Sequence, residues 1–327
     1  MHSFVDLDRV LGAVPAPVVM TLRNVDRGQG SEGLYLNQVP DLLTELANRA
    51  RVASITASSA LEGVVVKNRS RAAAIIAGKP IELRTRSEQE LAGYRAALDY
   101  LFAEDWRPLN VGLLLHLHRL LLADTKTTGG TFKQSDNLVV DRSPDGVQTV
   151  RFKPVPAART EDYAAHLIDC YAEAIKANHH HPVLLIGLFA LDLLIIHPFD
   201  DGNGRVARAL TNALLAEAGY GVGRYVSLEQ LIAESADDYY QALLDSTHDW
   251  DEHAHDPWPW LAYFSTLLAR GYSRFAEGVA ADRSGGTKSA RVREHVLRHG
   301  APVFAISDIR AALPGVTTPP SDSSSTS

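Results

Sequence analysis

The sequence predicts a mainly α-helical fold carrying a single β-hairpin. Two observations lead there. Apolar residues recur at three- and four-residue spacing through most of the chain, and only one pair of strand-like runs flanks a turn signal. Taken in order, residues 1 to about 37 contain Pro15, Pro17 and the glycine-rich piece Gly28-Gln29-Gly30-Ser31-Glu32-Gly33, and read as an irregular arm. Leu42, Leu43, Leu46 and Ala47 then recur at helical spacing, and a second helical stretch follows through Ile55 to Gly63. From Ser87 to Ala123 the pattern is helical again, broken at Arg107-Pro108 because a helix ends before proline.

Asn137 to Asp141 and Val147 to Phe152 flank Ser143-Pro144-Asp145-Gly146, whose proline and glycine suit a type I turn between two strands. Helices are expected at about 160–177, 183–196, 204–218, 235–245 and 257–278. A linker at 282–288 leads to two short helical stretches, Lys288–Arg298 and Ser307–Leu313. The last eleven residues, Thr317 to Ser327, are almost all Ser, Thr and Pro and are expected to be disordered.

With 46% hydrophobic and 22% charged residues, the composition is that of a globular protein able to bury a full core. The net charge of −7 does not suggest bulk nucleic-acid binding. A lone cysteine, Cys170, excludes an internal disulfide and a cysteine zinc cage, and suits a reducing cytoplasm. The N-terminus lacks the basic-then-apolar order of a signal peptide. The most apolar run, Val183 to Ile196, has 14 residues and contains Asp192, so it reads as a buried helix and not a membrane span. A soluble, cytoplasmic protein with no membrane partner is expected.

The chemistry concentrates in His197-Pro198-Phe199-Asp200-Asp201-Gly202-Asn203-Gly204-Arg205-Val206-Ala207-Arg208. One helix ends at His197 and another starts near Gly204. Free amides at the start of the second helix form an anion site, and Gly202 and Gly204 allow backbone to approach a phosphate closely. Arg205 and Arg208, three apart, can present guanidinium groups to phosphate oxygens. Asp201 can hold Mg²⁺ together with substrate phosphates, and His197 can accept a proton at neutral pH. A calcium-binding EF-hand fails, because Phe199 and Leu210 stand where oxygen ligands are required. A P-loop fails for lack of Gly-Lys-Ser/Thr. An ordinary helix–turn–helix corner remains the plain alternative.

The run resembles the signature of the Fic (Fido) family, His-x-Phe-x-Asp/Glu-Gly-Asn-Gly-Arg-x-x-Arg, at all eight fixed positions. The resemblance covers roughly residues 38–270. It implies a Fic-type helical core with this loop at its centre, and transfer of AMP from ATP to a Ser, Thr or Tyr hydroxyl of a target protein. His197 would deprotonate that hydroxyl and Asp201 would carry Mg²⁺. Gly202, Asn203 and Gly204 would cradle phosphate, Arg205 would grip the β-phosphate region and Arg208 the γ-phosphate, and Phe199 would anchor the loop. The Doc-like phosphotransferases carry lysine where this chain has Gly204, which argues against kinase activity.

Ser58-Ser59-Ala60-Leu61-Glu62-Gly63 is similar to the family's inhibitory motif, Ser/Thr-x-x-x-Glu-Gly/Asn. It implies an ion pair from Glu62 to Arg208 that removes the γ-phosphate clamp, with Ser58 opening the motif. A solvent-facing glutamate at a helix end is the competing reading. The 137–152 hairpin occupies the place of the family's flap, which docks a target segment by strand pairing. Gly130-Thr131-Phe132-Lys133 precedes it where relatives carry Gly-x-aromatic-Arg, so Lys133 is a departure. Tyr239 and Tyr240 resemble a Tyr-Tyr segment near the adenine. Adjacent helical residues point different ways, so one of them is expected at the nucleotide, with core packing as the alternative.

These readings divide the chain into an N-terminal arm with helices and the inhibitory motif (1–86), a catalytic core (87–280), a partial winged-helix-like piece (281–316) and a tail (317–327). Over 282–310 six Lys/Arg oppose three Asp/Glu, yet no recognition helix and wing follow, which argues against DNA binding. The expected activity is a protein adenylyltransferase restrained by Glu62, with an unnamed target protein, self-modification and a homo-oligomer left open. A de-AMPylase or another nucleotidyl transferase is the alternative within enzymes. An ATP-binding regulator acting through the C-terminal module is the alternative outside them. His179-His180-His181 reads as a solvated turn, and His248, His253 and His255 as a metal-tolerant acidic patch.

Overall fold

The computed structural model describes residues 2–36, 40–103, 106–142 and 148–283. The fold is mainly α, as predicted. Six helices come first: α1 (Leu7–Leu11), α2 (Ala16–Leu36), α3 (Pro40–Leu61), α4 (Arg69–Ile76), α5 (Arg86–Ala103) and α6 (Val111–Leu122). Strands β1 (Val139–Arg142) and β2 (Gln148–Phe152) pair antiparallel, with Val139 opposite Phe152 and Arg142 opposite Gln148. Then come α7 (Thr160–Ala177), α8 (Pro182–Ile196), α9 (Asn203–Glu217), α10 (Leu228–Glu234), α11 (Ala236–Asp245) and α12 (Trp258–Arg283). Residues 1–275 form one compact unit and 276–327 a second. Of the second, only the last turns of α12 are described. The predicted winged-helix-like piece therefore lies outside the described residues except for 281–283, and the tail and the 143–146 turn lie wholly outside them.

Helix α8 is the centre of the first unit. Thirteen of its residues are buried, from Val183 to Ile196. Pro182 opens it, and the His181 ring caps it by accepting from the Val183 amide at 3.2 Å. A helix buried on all sides reads as apolar all round, and the one exception, Asp192, has its own partners. Its carboxylate accepts from Ser3 Oγ at 2.5 Å and from Trp250 Nε1 at 2.7 Å. These bonds pin the short 3₁₀ turn His2–Phe4 and the segment after α11 onto α8.

The N-terminal region corrects two expectations. The irregular arm is helical: Pro15 and Pro17 sit at the start of α2, where a missing N–H costs nothing, and the Pro15 carbonyl accepts from Val18 and Val19. Val18, Leu22 and Val25 form its buried stripe. Gly28 continues that face because the Tyr272 ring lies 2.4 Å from where a Cβ would stand, so the glycine marks close packing and not a loop. The two expected helices between Leu42 and Gly63 are one continuous helix, α3. Helices α4 and α10 were not anticipated.

The approach of α5 to α6 depends on Gly93, where an added Cβ would fall 2.0 Å from the Leu121 carbonyl oxygen. Backbone cannot step aside as a flexible side chain can. Gly93→Ala should therefore lower stability by about 1–3 kcal/mol, despite alanine's better helix propensity, as read from urea unfolding midpoints.

Candidate functional site

The loop between α8 and α9 is built by two left-handed residues. His197 ends α8 at φ 51° and ψ 62°, and Gly202 caps α9 at φ 84°, with Leu121 Cδ2 only 2.5 Å from where a Cβ would sit. Gly202 offers no side chain to cap α9, so the first amides of this helix have no N-cap partner. Asn203 closes the turn on itself: its Oδ1 accepts from the Phe199 amide at 2.9 Å and its Nδ2 donates to the Phe199 carbonyl at 2.7 Å. Phe199 is fully buried and stacks on His118 at 3.8 Å.

Residues 130–137 brace the same loop from outside. The Lys133 amide donates to the Pro198 carbonyl at 3.0 Å, and its ammonium to the Ile196 carbonyl at 3.1 Å and to Asn137 Oδ1 at 3.0 Å. Asn137 in turn donates to the Phe199 carbonyl at 3.2 Å. Burial lowers the Lys133 pKa to about 8.

His197 Nδ1 lies 3.2 Å from the Leu194 carbonyl oxygen. A carbonyl can only accept, so this bond places the proton on Nδ1 and leaves a bare lone pair on Nε2. Burial lowers the imidazole pKa to about 4. The ring is thus neutral at physiological pH, as a proton acceptor must be.

The charged residues form two clusters. Asp201 meets Arg86 at 2.7 Å and Arg205 at 3.3 Å, while Arg205, 1% exposed, also pairs with buried Glu90 at 2.5 Å. In the other cluster, Arg208 donates from Nε to Ser58 Oγ at 2.9 Å, and from Nη2 to the Ser58 carbonyl at 3.0 Å and Glu62 Oε1 at 2.8 Å. Burial opposes the Arg208 charge, but Glu62 together with the neighbouring Tyr239 and Tyr94 more than offsets this and raises its pKa. Glu62 also overhangs the amides of α9, since a Cβ on Gly204 would fall 2.2 Å from its Oε1. Gly63 has a local role. At φ 73° it ends α3, with Val64 N donating to Ser59 O and Gly63 N to Ala60 O, the Schellman pattern that fixes the last turn bearing Glu62.

His197, Gly204, Arg208 and Glu62 line a cleft of about 150 Å³, whereas Asp201, Gly202, Asn203 and Arg205 do not. Tyr239 and Tyr240 both border it, the former buried and the latter half-buried, with their rings edge to face at 5.1 Å. The cleft runs along α11 far enough to meet both. Val139 and Phe152, paired at the base of the hairpin, close its other side. Arg86, Glu90, His118 and Asn137 were missed. Arg86 and Glu90 stand four apart on α5, a spacing that signals an ion pair but not its partners in α9. Among the described residues no group of three or more His, Cys, Asp or Glu could hold a metal ion by itself.

Residues 108–215 match the family model described as "Fic/DOC family". The chain carries a Fic/DOC-family domain over these residues. Protein adenylyltransferase Fic of Drosophila grimshawi is 32% identical over 146 residues, which is 44% of this chain and 27% of the relative. Its Drosophila melanogaster counterpart is 30% identical over 149 residues, covering 44% of this chain and 27% of that one. The chain thus matches about a quarter of these relatives' length. Among solved structures, a Fic family protein of Desulfovibrio desulfuricans superposes with a TM-score of 0.65 at 21% identity, over 92% of this chain and 84% of its own. Fic-1 of C. elegans does so with 0.60 at 18%, over 82% and 74%. The Fic fold is therefore present from the N-terminal helices onward, and the family match contains the 197–208 loop. No helix among the described residues is long and apolar enough to cross a membrane.

The buried imidazoles make the Fic fold acid-sensitive. Burial pushes His2, His118, His197 and His255 from 6.5 down to about 4. Below pH 6.5 the unfolded chain takes up protons that the folded one refuses until about 4, so stability rises with pH across that window. Asp192, raised by burial from 3.8 to about 6, and Glu32, also raised by burial, act in the opposite sense, but as two groups against four. The melting temperature should fall as pH drops from about 7 to about 4.5, and less steeply in His118→Gln.

Proposed function

We propose that this Fic protein is a Mg²⁺-dependent protein adenylyltransferase held in check by Glu62, with residues 87–280 as its catalytic core. The observation that carries the reading is the seat of the Glu62 carboxylate. It lies against Arg208 at 2.8 Å and over Gly204, where the first amides of α9 would otherwise receive a phosphate. The chain supplies its own anion to its anion site.

In this reading ATP displaces Glu62, and Arg208 then holds the γ-phosphate while the α9 amides and Gly202 line the phosphate path. His197 Nε2 takes the proton from a Ser, Thr or Tyr hydroxyl of the target. The freed oxygen bonds to the α-phosphorus as the bond to the bridging α–β oxygen breaks, and pyrophosphate leaves. Such catalysis rests on positioning and charge compensation. Asp201, 40% exposed beside the loop, would hold Mg²⁺, the phosphates supplying the remaining oxygens, and the ion would neutralise phosphate charge. Asn203 acts by fixing the loop rather than by touching phosphate, since both ends of its amide hold Phe199. Arg205 is similarly committed to Glu90 and Asp201 and serves to orient that carboxylate. Tyr239 and Tyr240 would border the adenosine. A target segment would pair with a hairpin edge, presenting its hydroxyl beside Phe152, whose ring meets His197 edge-on at 6.1 Å. The single cysteine fits a cytoplasmic setting.

Incubation with Mg²⁺ and ATP labelled at the α- or γ-phosphate tests this. Label from the α position alone is expected on protein, roughly tenfold or more stronger in Glu62→Gly and absent when His197→Ala is added. Label from the γ position would mean a kinase and would sink the reading. Occupancy offers an independent check. Mg²⁺ and ATP should raise the melting temperature of Glu62→Gly more than that of the wild type, because no internal carboxylate competes for the site.

A further inference from the structure

Between α3, α5 and α9 lies a second cavity, of about 370 Å³, open to solvent past Phe102 and Arg224 and sharing no lining residue with the His197 cleft. Its walls are apolar where Ala47 of α3 meets Leu98 and Phe102 of α5. Its floor is not. Asn212 of α9 is 7% exposed and donates from Nδ2 to Glu229 at 2.8 Å, but its Oδ1 is buried with no hydrogen-bond partner. That oxygen faces Gly223 in the cavity wall, where a Cβ would fall 2.6 Å from it and cover it. A buried carbonyl left without a donor is unfavourable, so the floor calls for one.

The cavity mouth carries charge of one available sign. Arg51 is committed to Asp99, at 2.6 to 2.9 Å, and to the Ile76 carbonyl at 3.0 Å. Arg224 stands exposed at the rim, its guanidinium 5.7 Å from the Phe102 ring. One cation above an apolar slot suits a single carboxylate and is too little for a nucleotide. The volume lies within the usual range for small-molecule sites. Together these features describe a compact aromatic acid: a flat body between Ala47, Leu98 and Phe102, a carboxylate toward Arg224, and an N–H or O–H toward Asn212 Oδ1.

The position of the cavity gives such a ligand something to act on. Ser54 in its wall and Ser58 at Arg208 are four apart on α3, and Asn212 in its floor and Arg208 are four apart on α9. Four residues are one helical turn. The same two helices therefore meet at the cavity and, one turn further on, at the Arg208–Ser58–Glu62 contact. We propose that this cavity is a regulatory site for a small aromatic acid bearing a hydrogen-bond donor, whose binding tightens α3 against α9 and holds Glu62 in place. The regulatory half rests on the adenylyltransferase reading; the binding half does not.

Calorimetry on the full chain, with indole-3-acetate as probe, tests the site. One-site binding is expected, weaker by about tenfold or more with indole (no carboxylate), with phenylacetate (no donor) or in Arg224→Gln, and lost in Ala47→Phe, which fills the slot. Arg224 is a surface residue, so its variant stays informative if Ala47→Phe misfolds. No saturable binding at probe concentrations on the order of 1 mM, or binding indifferent to both substitutions, would overturn the site. In the α-labelled ATP assay the probe should reduce labelling by the wild type severalfold and leave Glu62→Gly unchanged. Equal inhibition of both would overturn the regulatory half. Binding with the expected pattern but no labelling by any variant would support the site and count against the adenylyltransferase reading.

Discussion

Everything at the candidate site depends on how the chain turns between two buried helices within six residues. Helix α8 is too apolar to end anywhere but inside the protein, and α9 must start almost at once beside it. The turn is affordable because its polar backbone is satisfied from within and from one neighbour. Asn203 takes both the amide and the carbonyl of Phe199, and the 130–137 segment takes the carbonyls of Ile196 and Pro198 and adds a second bond to that of Phe199. A buried loop with unpaired backbone would not persist. The left-handed geometry of His197 follows from this bracing, and with it the bond to Leu194 that frees Nε2.

The two arginines of α9 show how identical side chains on one helix can acquire different duties. Both are buried, and a buried guanidinium needs a carboxylate. Arg205 has Glu90, itself 4% exposed and set within α5, so that pair is permanent architecture. Arg208 has Glu62, 31% exposed and placed just past the last turn of α3. Helix ends open locally at far lower cost than helix interiors. The difference in exposure therefore separates a fully enclosed ion pair from a partly open one, and only the open one lies over Gly204.

Which parts of this were legible follows from the same physics. The loop was readable because backbone and chemical demands coincide in it: glycine is needed both for a positive φ at Gly202 and for space over Gly204, and the histidine and aspartate flank them directly. The hairpin was readable from its turn residues and flanking strand-like runs. Helix α2 was hidden because glycine and proline have two meanings. At Pro15, Pro17 and Gly28 they serve a helix start and a close contact, and only the position of Tyr272 reveals which. The partners of Asp201 were hidden for another reason. Arg86 lies 115 residues away, and no local periodicity encodes a contact at that separation. The same distance concealed the state of Arg205, whose partner Glu90 is also 115 residues away; the two bonds of Asn203 to Phe199 are local, but nothing in the residue pattern distinguishes an amide turned into its own loop from one free for phosphate.

The length of α3 ties these points together. Had the chain formed two helices there, Glu62 would move independently of residues two turns earlier. As one helix, with Ser58 fully buried against Arg208 and a Schellman turn at Gly63, it makes the contact with Arg208 a composite. Ser58 fixes the register of α3 on α9, and Glu62, less buried, sits just beyond its end. Release of the carboxylate then requires only the final turn to open, while displacement of Ser58 requires the whole helix to shift against α5 and α9. A modulator bound further up α3 would act on the second, costlier motion, and so would bias the position of Glu62 without itself replacing its contact with Arg208.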